Sequence, residues 1–128
     1  DLKKPDNEGA ASVAEKLMKR YPLKGVALTL RTNLSASDND FGAMLCDGET
    51  AVFSRKYRMH IADRVGGGDA FAAGLIYSLL KQKAPQEAAE FATAAAVLKH
   101  SIEGDFNRVT VSEVESLAGG DGSGRVQR

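Results

Sequence analysis

A run of three glycines followed by an aspartate contains the residues of this chain that could do chemistry. Gly66–Gly68 and Asp69 directly precede a helix-forming stretch, Ala70 to Lys81. Glycine lets backbone N–H groups converge on a ligand, because no Cβ blocks positive φ values or close approach. The helix adds unpaired N–H groups and the positive end of its dipole. The segment therefore predicts a pocket for an anion, most simply a phosphate.

The aspartate in this pocket has two interpretations, and its spacing leaves both open. A carboxylate would repel a bound anion, which indicates a task such as taking a proton from a group that attacks a phosphate. Alternatively, Asp69 caps the helix that follows, and the glycines form an ordinary loop. The sequence contains no P-loop pattern, and Phe71 stands where a Gly-x-Gly-x-x-Gly motif would have its last glycine.

Length and composition restrict the class of protein. The 128 residues suffice for one domain, and 17 basic and 17 acidic residues are interspersed without a basic face, which argues against nucleic acid as a partner. Cys46 is the only cysteine, so no intrachain disulfide can form and a reducing compartment is expected. His60 and His100 have no further ligands at zinc spacing. With no apolar run of membrane-spanning length and no signal peptide, we expect a soluble, cytoplasmic protein.

The pattern of apolar and turn residues predicts part of an α/β sheet. The strand at residues 25–30 is short and nearly all apolar, as strands of parallel sheets are. Asp47 and Gly48 form a hairpin turn, and residues from 119 to 128 form a disordered tail. The predicted elements are a helix from about Glu8 to Tyr21 capped by Asn7, strands 25–30, 41–46 and 50–57, a loop at 33–40, an extended segment 58–63, and helices 70–81, 85–99 and 110–117.

Two segments resemble a known family. Asp63–Phe71 resembles the second signature of the ribokinase-like (PfkB) carbohydrate kinases, with Arg64 where threonine is usual. Lys99–Asn107 is similar to the C-terminal part of the 2-keto-3-deoxygluconate kinases, a group within that family. The resemblance covers Gly25 to Leu117. It implies that residues 1–118 are the C-terminal, nucleotide-binding part of a three-layer αβα sandwich, whose missing N-terminal part carries most sugar contacts. The start at Asp1, without an initiator methionine, fits this expectation.

The resemblance also implies roles for the residues of the signature. Asp69 would accept the proton of the 6-hydroxyl of 2-keto-3-deoxygluconate, and the amides of Gly66–Gly68 would form an anion hole for the phosphoryl group. ATP and Mg²⁺ would be required, with no metal ligands predicted in this chain. Asp63 would organise a site for a monovalent cation such as K⁺, or it would be a loop acid hydrogen-bonded to the backbone. Arg64 could alter that cation site, lie toward solvent or lie toward the substrate phosphate.

The nucleotide is expected between the first strand and the long Ala-rich helix. Thr93 matches the family position whose polar side chain faces adenine, and Ala96 is small enough to admit a flat ring. The alternative is that Thr93 belongs to a packing face of small residues. Thr29 and Arg31 are further nucleotide-binding candidates, although family members often carry a glycine near the position of Arg31.

Two other functions remain open at the level of sequence. The chain could belong to another ribokinase-like sugar kinase, such as a fructokinase or a ribokinase. It could also be a nucleotide-binding fragment that is inactive without its N-terminal part. The partners implied are ATP and a small sugar acid, with neither nucleic acid nor membrane, and the resemblance suggests a homodimer or a higher oligomer.

Overall fold

The computed structural model of the protein describes residues 7–120, and within that range one helix, four consecutive strands and three further helices form a mixed α/β fold. The elements are α1 (Asn7–Arg20), β1 (Val26–Asn33), β2 (Asp38–Cys46), β3 (Ala51–Phe53), β4 (Tyr57–His60), α2 (Gly67–Leu80), α3 (Pro85–His100) and α4 (Val111–Ala118). The predicted helices are all found, with ends that differ from the predicted ones by at most three residues. The predicted disordered tail lies outside the described residues except for Gly119 and Gly120.

The sheet is built around β2. β1 pairs with one edge of β2 in an antiparallel ladder, whereas β3 and β4 pair with different halves of the other edge. Met44 is opposite Phe53 and Phe41 is opposite Tyr57, so three steps along β2 correspond to four along the β3–β4 segment. The extra residue is a β-bulge, which bends the predicted strand 50–57 and divides it in two. Ser54 stabilises the bulge, because its hydroxyl accepts a hydrogen bond from Ala43 N (2.9 Å).

The sequence prediction of a parallel arrangement for the first strand is wrong in the described residues. β1 and β2 are joined by residues 34–37, which is far too short for the crossover that a parallel pair requires. The predicted loop 33–40 is accordingly shorter than expected, since Asp38 already begins β2. β1 is apolar because helices cover both faces of the sheet, and that burial does not depend on strand direction.

Helices cover the two faces of the sheet and create two hydrophobic clusters. On one face, α1 packs Ala10 and Ala14 against Leu30, Met44 and Cys46. On the other face, α3 lies against Phe41 and Ala43, and α2 and α4 pack beside it. The strand alternation explains this division, because successive side chains of β2 point to opposite faces. The described residues thus form a helix, sheet and helix arrangement of three layers.

Helices α2 and α3 form the closest helix pair of the fold. A Cβ added to Gly74 of α2 would lie 3.1 Å from Ala92 Cα and 3.1 Å from Ala95 Cβ of α3. The small residues of both helices therefore allow close packing, as the Ala-rich sequence predicts. Ten consecutive residues at the C-terminal end of α3, from Phe91 to His100, are buried, which makes α3 the centre of the molecule.

Candidate active site

The glycine run forms the turn that begins α2. Gly66 has a φ of 80° and occupies the N-cap position, and no side chain caps the helix. Gly67 is already helical, and Ala70 N donates the first helical hydrogen bond to Gly66 O (2.9 Å). The helix therefore starts three residues earlier than predicted. The left-handed conformation of Gly66 explains the glycine at this position, because it costs a residue with a Cβ about 1–2 kcal/mol.

Three backbone N–H groups of this turn are available to a ligand. Gly66 N, Gly68 N and Asp69 N have no acceptor among residues 7–120, whereas Gly67 N makes a long turn hydrogen bond to Arg64 O (3.3 Å). Unpaired amides at a helix N-terminus point in a common direction and carry the positive end of the helix dipole. The turn therefore offers donors for an anion at Gly66, Gly68 and Asp69, and the predicted role of Gly66–Gly68 as an anion hole stays a prediction.

Asp69 lies in the first turn of α2 and is exposed. Its carboxylate makes no hydrogen bond or ion pair with the described residues, and it does not cap the helix. The alternative in which Asp69 is the helix cap is therefore wrong, because the cap position belongs to Gly66. An exposed carboxylate beside three unpaired amides can accept a proton from a group that approaches the same pocket.

The ring of His100 packs against the glycine turn at Gly67 and is almost completely buried, with 1% of the residue's surface exposed. A Cβ on Gly67 would lie 2.8 Å from His100 Nε2, so only glycine allows this contact. The ring Nδ1 lies 2.6 Å from Ala96 O, and Nε2 lies 2.8 Å from Arg31 Nη2. Because Arg31 can only donate, Nε2 accepts and the proton is on Nδ1. Burial lowers the pKa of His100, and the cation of Arg31 lowers it further.

Asp63 connects the glycine turn to the loop that follows α3. Its two carboxylate oxygens accept hydrogen bonds from Val65 N (3.0 Å) and Gly104 N (2.9 Å). These two backbone donors lower the pKa of the Asp63 carboxyl, and Lys99 contributes to the same direction. Asp63 therefore has the backbone-bonded geometry that was one of its two interpretations, while its role toward a monovalent cation stays a prediction.

The two arginines near the turn differ in environment. Arg31 is partly buried, with its guanidinium carbon 5.4 Å from the centre of the Phe41 ring. Burial lowers the pKa of Arg31, and the nearby charge of Arg64 acts in the same direction. Arg64 is exposed and donates to Ala36 O (3.1 Å) in the loop between β1 and β2. Both cations therefore stand close to the start of α2.

The remaining nucleotide-binding candidates lie on the sheet face that α3 covers and on α3 itself. Thr29 is exposed and lies two residues before Arg31 on the same face of β1. Thr93 and Ala96 are completely buried, and the Thr93 hydroxyl has no hydrogen-bond partner in the described residues. A nucleotide could reach them only if neighbouring side chains moved. The nucleotide-binding roles of these residues stay predictions.

Sequence reasoning missed the supporting roles of Lys99 and His100. Both lie at the C-terminal end of α3, more than 30 residues after the glycine turn, so no local pattern connects them to it. The available signal was their place at the start of the Lys99–Asn107 segment that resembles the sugar-acid kinases. The described residues contain no cluster of three or more His, Cys, Asp or Glu side chains that could hold a metal ion.

Comparison with known proteins agrees with this fold. The sequence profile of the pfkB family of carbohydrate kinases matches residues 31–120, which is more than half of the chain. This chain therefore belongs to the pfkB family of carbohydrate kinases.

Three relatives show the extent of the similarity. The crystal structure of 2-dehydro-3-deoxygluconokinase from Thermotoga maritima is 42% identical, with a TM-score of 0.88 over 93% of this chain and 36% of that one. A PfkB family carbohydrate kinase from Listeria grayi is 33% identical, with a TM-score of 0.78 over 91% of this chain and 36% of that one. A 2-dehydro-3-deoxygalactonokinase from Haloferax volcanii is 34% identical over 77% of this chain and 34% of its own length.

The chain thus spans about a third of the length of these relatives. The similarity confirms the predicted family and the predicted class of fold, the C-terminal part of a ribokinase-like sandwich. Within residues 7–120 no helix has both the length and the apolar character needed to cross a membrane.

Proposed function

We propose that the protein containing this chain transfers the γ-phosphoryl group of ATP to the 6-hydroxyl of a 2-keto-3-deoxy sugar acid. The relatives from Thermotoga maritima and Haloferax volcanii are named for the gluconate and galactonate forms of this acid. These two substrates differ in configuration at one carbon, so the shared chemistry is that of the sugar-acid class. The choice between the two epimers depends on sugar contacts that the resemblance places outside this chain.

The observation that carries the proposal is the position of Asp69. Its exposed carboxylate, without an internal partner among the described residues, stands in the helical turn that offers three unpaired amides. Asp69 accepts the hydroxyl proton as the sugar oxygen attacks the γ-phosphorus, and the bond to the bridging oxygen of ADP breaks. The amides of Gly66, Gly68 and Asp69 donate to the phosphoryl oxygens as their negative charge grows. One such donor contributes about 3 kcal/mol to the transition state.

Mg²⁺ is expected to arrive with the nucleotide. In kinases this ion is usually held by one or two carboxylates together with the phosphates of the substrate. When bound, Mg²⁺ neutralises phosphate charge, whereas the residues of this chain position the phosphoryl group and remove the proton.

The test is phosphoryl transfer by the complete natural protein and its Asp69→Asn variant. We expect kcat to fall by about 10²- to 10⁴-fold in the variant, because the positioned base is lost, with ATP affinity nearly unchanged. Glu87→Gln is a matched control, since Glu87 is also an exposed acid in the first turn of a helix. It should leave kcat unchanged. An Asp69→Asn variant that keeps most of its activity would contradict the proposed base.

The substrate class is tested separately with the unmodified protein. We expect ATP-dependent phosphorylation of 2-keto-3-deoxygluconate or 2-keto-3-deoxygalactonate, with the phosphate located on carbon 6 by ³¹P NMR. Fructose and ribose are the comparison substrates, because fructokinases and ribokinases share this fold. Turnover of these neutral sugars alone would retain the kinase class and exclude the sugar-acid substrate.

A further inference from the structure

Lys99 is a charged residue in an unexpected place. Only 1% of its surface is exposed, and its ammonium group donates to two backbone carbonyls, Gly104 O (2.7 Å) and Ile102 O (3.3 Å). No carboxylate of the described residues lies within ion-pair distance of it. A buried charge is costly unless polar groups surround it, so these carbonyls must compensate for the lost hydration.

The loop after α3 is folded around this ammonium group. Gly104 contributes its carbonyl to Lys99 and its N–H to Asp63, and Asp63 in turn accepts from Val65 N. The left-handed φ of Gly104, 84°, permits this turn. The negative charge of Asp63 therefore lies in the same small region as the positive charge of Lys99, linked to it through the Gly104 peptide.

The side chain of Lys99 also packs against the interior side of the glycine turn, at Gly66. A Cβ added to Gly66 would be 3.2 Å from Lys99 Cε and 3.4 Å from Asp105 O. The aliphatic part of Lys99 thus packs against Gly66, whose N–H is one of the three unpaired donors. A fixed positive charge at this position stabilises negative charge that develops in the pocket, because the site is partly shielded from water.

A monovalent cation does not fit beside this arrangement. Backbone carbonyls are the oxygens that replace the hydration shell of K⁺ in proteins, and a carboxylate adds charge. Here the ammonium group of Lys99 already lies at the carbonyls of Ile102 and Gly104, and its charge also acts on the Asp63 carboxylate. A K⁺ ion bound at Asp63 and these carbonyls would therefore lie beside the ammonium group of Lys99, and the two positive charges would repel each other.

We propose that the ammonium group of Lys99 supplies the positive charge of this site, so that the protein requires no K⁺ or other free monovalent cation. The lysine acts as a tethered cation. Its ammonium group orders the loop at 101–104 and compensates the negative charge of Asp63, and its side chain packs against Gly66. Lys99 is a positioning residue in this role, because it acts through the backbone of the turn and does not touch the substrate.

The first experiment uses the complete natural protein in KCl, NaCl and choline chloride at equal ionic strength. We expect the same melting temperature and the same kcat/KM in all three salts. A melting temperature or kcat/KM that rises specifically with K⁺ would overturn the proposal. The melting temperature does not depend on catalysis, so this result is distinct from a failure of the proposed kinase function.

Three substitutions of the lysine test the tethered charge. Lys99→Ala removes the charge and leaves space for an ion, so we expect a melting temperature several degrees lower and partial recovery in KCl. Lys99→Met removes the charge but fills the space, and we expect the same loss without recovery. Lys99→Arg keeps the charge and should remain insensitive to K⁺. Lys19→Ala, at an exposed lysine of α1, controls for loss of one positive charge.

The outcomes of these substitutions separate clearly. Equal recovery of the Ala and Met variants by K⁺ would contradict the proposal, as would an Ala variant as stable and active as the unmodified protein. If Lys99→Ala does not fold, the salt comparison of the unmodified protein and of Lys99→Arg still decides, since a K⁺ requirement in either one excludes a tethered cation.

Discussion

Gly67 and Gly68 are neighbours in the turn, but a methyl group on each would meet a different environment. At Gly67 the methyl would collide with the ring of His100, whereas at Gly68 no atom lies within 4 Å of the added Cβ. Both residues are helical with ordinary negative φ values, so the difference comes from packing and not from backbone strain. Gly67 must be glycine because the buried His100 ring leaves no space for a Cβ, whereas Gly68 faces the space that an anion would occupy.

This difference predicts opposite results for two alanine substitutions. Gly67→Ala should lower the free energy of unfolding by about 1–3 kcal/mol, because the buried His100 ring must move. Gly68→Ala should change it by less than about 1 kcal/mol, since the site is open and alanine suits a helix. Urea unfolding of the complete protein measures both. Equal stability of the two variants would mean that His100 does not pack against the turn.

At the scale of elements, the C-terminal end of α3 connects the parts of the site. The carbonyl of His100 accepts from Ala62 N (2.9 Å) and Asp63 N (3.2 Å), and its ring accepts from Arg31 of β1. The C-terminal end of α3 therefore holds both the segment at 62–63, which leads into the glycines, and strand β1 in place. The geometry requires a neutral imidazole, since a proton on Nε2 would face the guanidinium of Arg31.

A neutral buried histidine predicts a stability that depends on pH. The groups that face His100 are Arg31 from β1, Arg64 from the glycine segment and Lys99 from its own helix, and all three are cations. Burial, with these charges, lowers its pKa in the folded state below the usual value of 6.5. The unfolded chain therefore binds the proton first. Stability is fully present above about pH 6.5 and is lost as pH falls toward the folded-state pKa, by up to about 1.4 kcal/mol per pH unit.

The measurement is urea unfolding of the complete protein between pH 7.5 and pH 5. We expect the free energy of unfolding to decrease over this range in the unmodified protein and to decrease less in His100→Asn. That variant keeps an N–H near the position of Nδ1. His60→Asn is the control, because it removes an exposed histidine and should keep the loss of stability that comes from the buried His100. A slope that disappears in His60→Asn and persists in His100→Asn would refute the assignment.

Individual elements show why part of the fold and site was predictable. The glycine turn, α2 and the Thr110 cap of α4 depend on residues close in sequence, and each lies close to the predicted position. The direction of β1 relative to β2 was not predictable from the residues of β1. An apolar run indicates that both faces of a strand are buried, but it does not indicate which strand pairs with it or in which direction. The contacts of Lys99 and His100 with Gly66 and Gly67 join residues 33 positions apart, so no local pattern encodes them.

On the scale of the whole molecule, one side of the described structure is incomplete. β1 pairs with β2 along one edge, and its other edge has no strand partner within residues 7–120. A groove of about 430 Å³ lies where the start of β1 and the end of β2 meet α2, and it is lined largely by apolar residues including Val26, Ala27, Leu75 and Leu79. The neighbouring face of α2 also exposes Ile76 and Leu80, at 57% and 78% of their surface. Unpaired strand edges and exposed apolar residues of this kind favour association.

The relatives, about three times longer, indicate what covers this side. We expect the part of the complete protein outside this chain to pair with the free edge of β1 and to cover Ile76 and Leu80 of α2. Every second N–H of β1 points away from β2, and those groups should be protected from hydrogen exchange in the complete protein. Amides of the loop at 34–37 are the unprotected reference, and those of the buried part of α3 are the protected one. If the outward amides of β1 exchange as fast as that loop, the edge is open in the complete protein and this assembly is wrong.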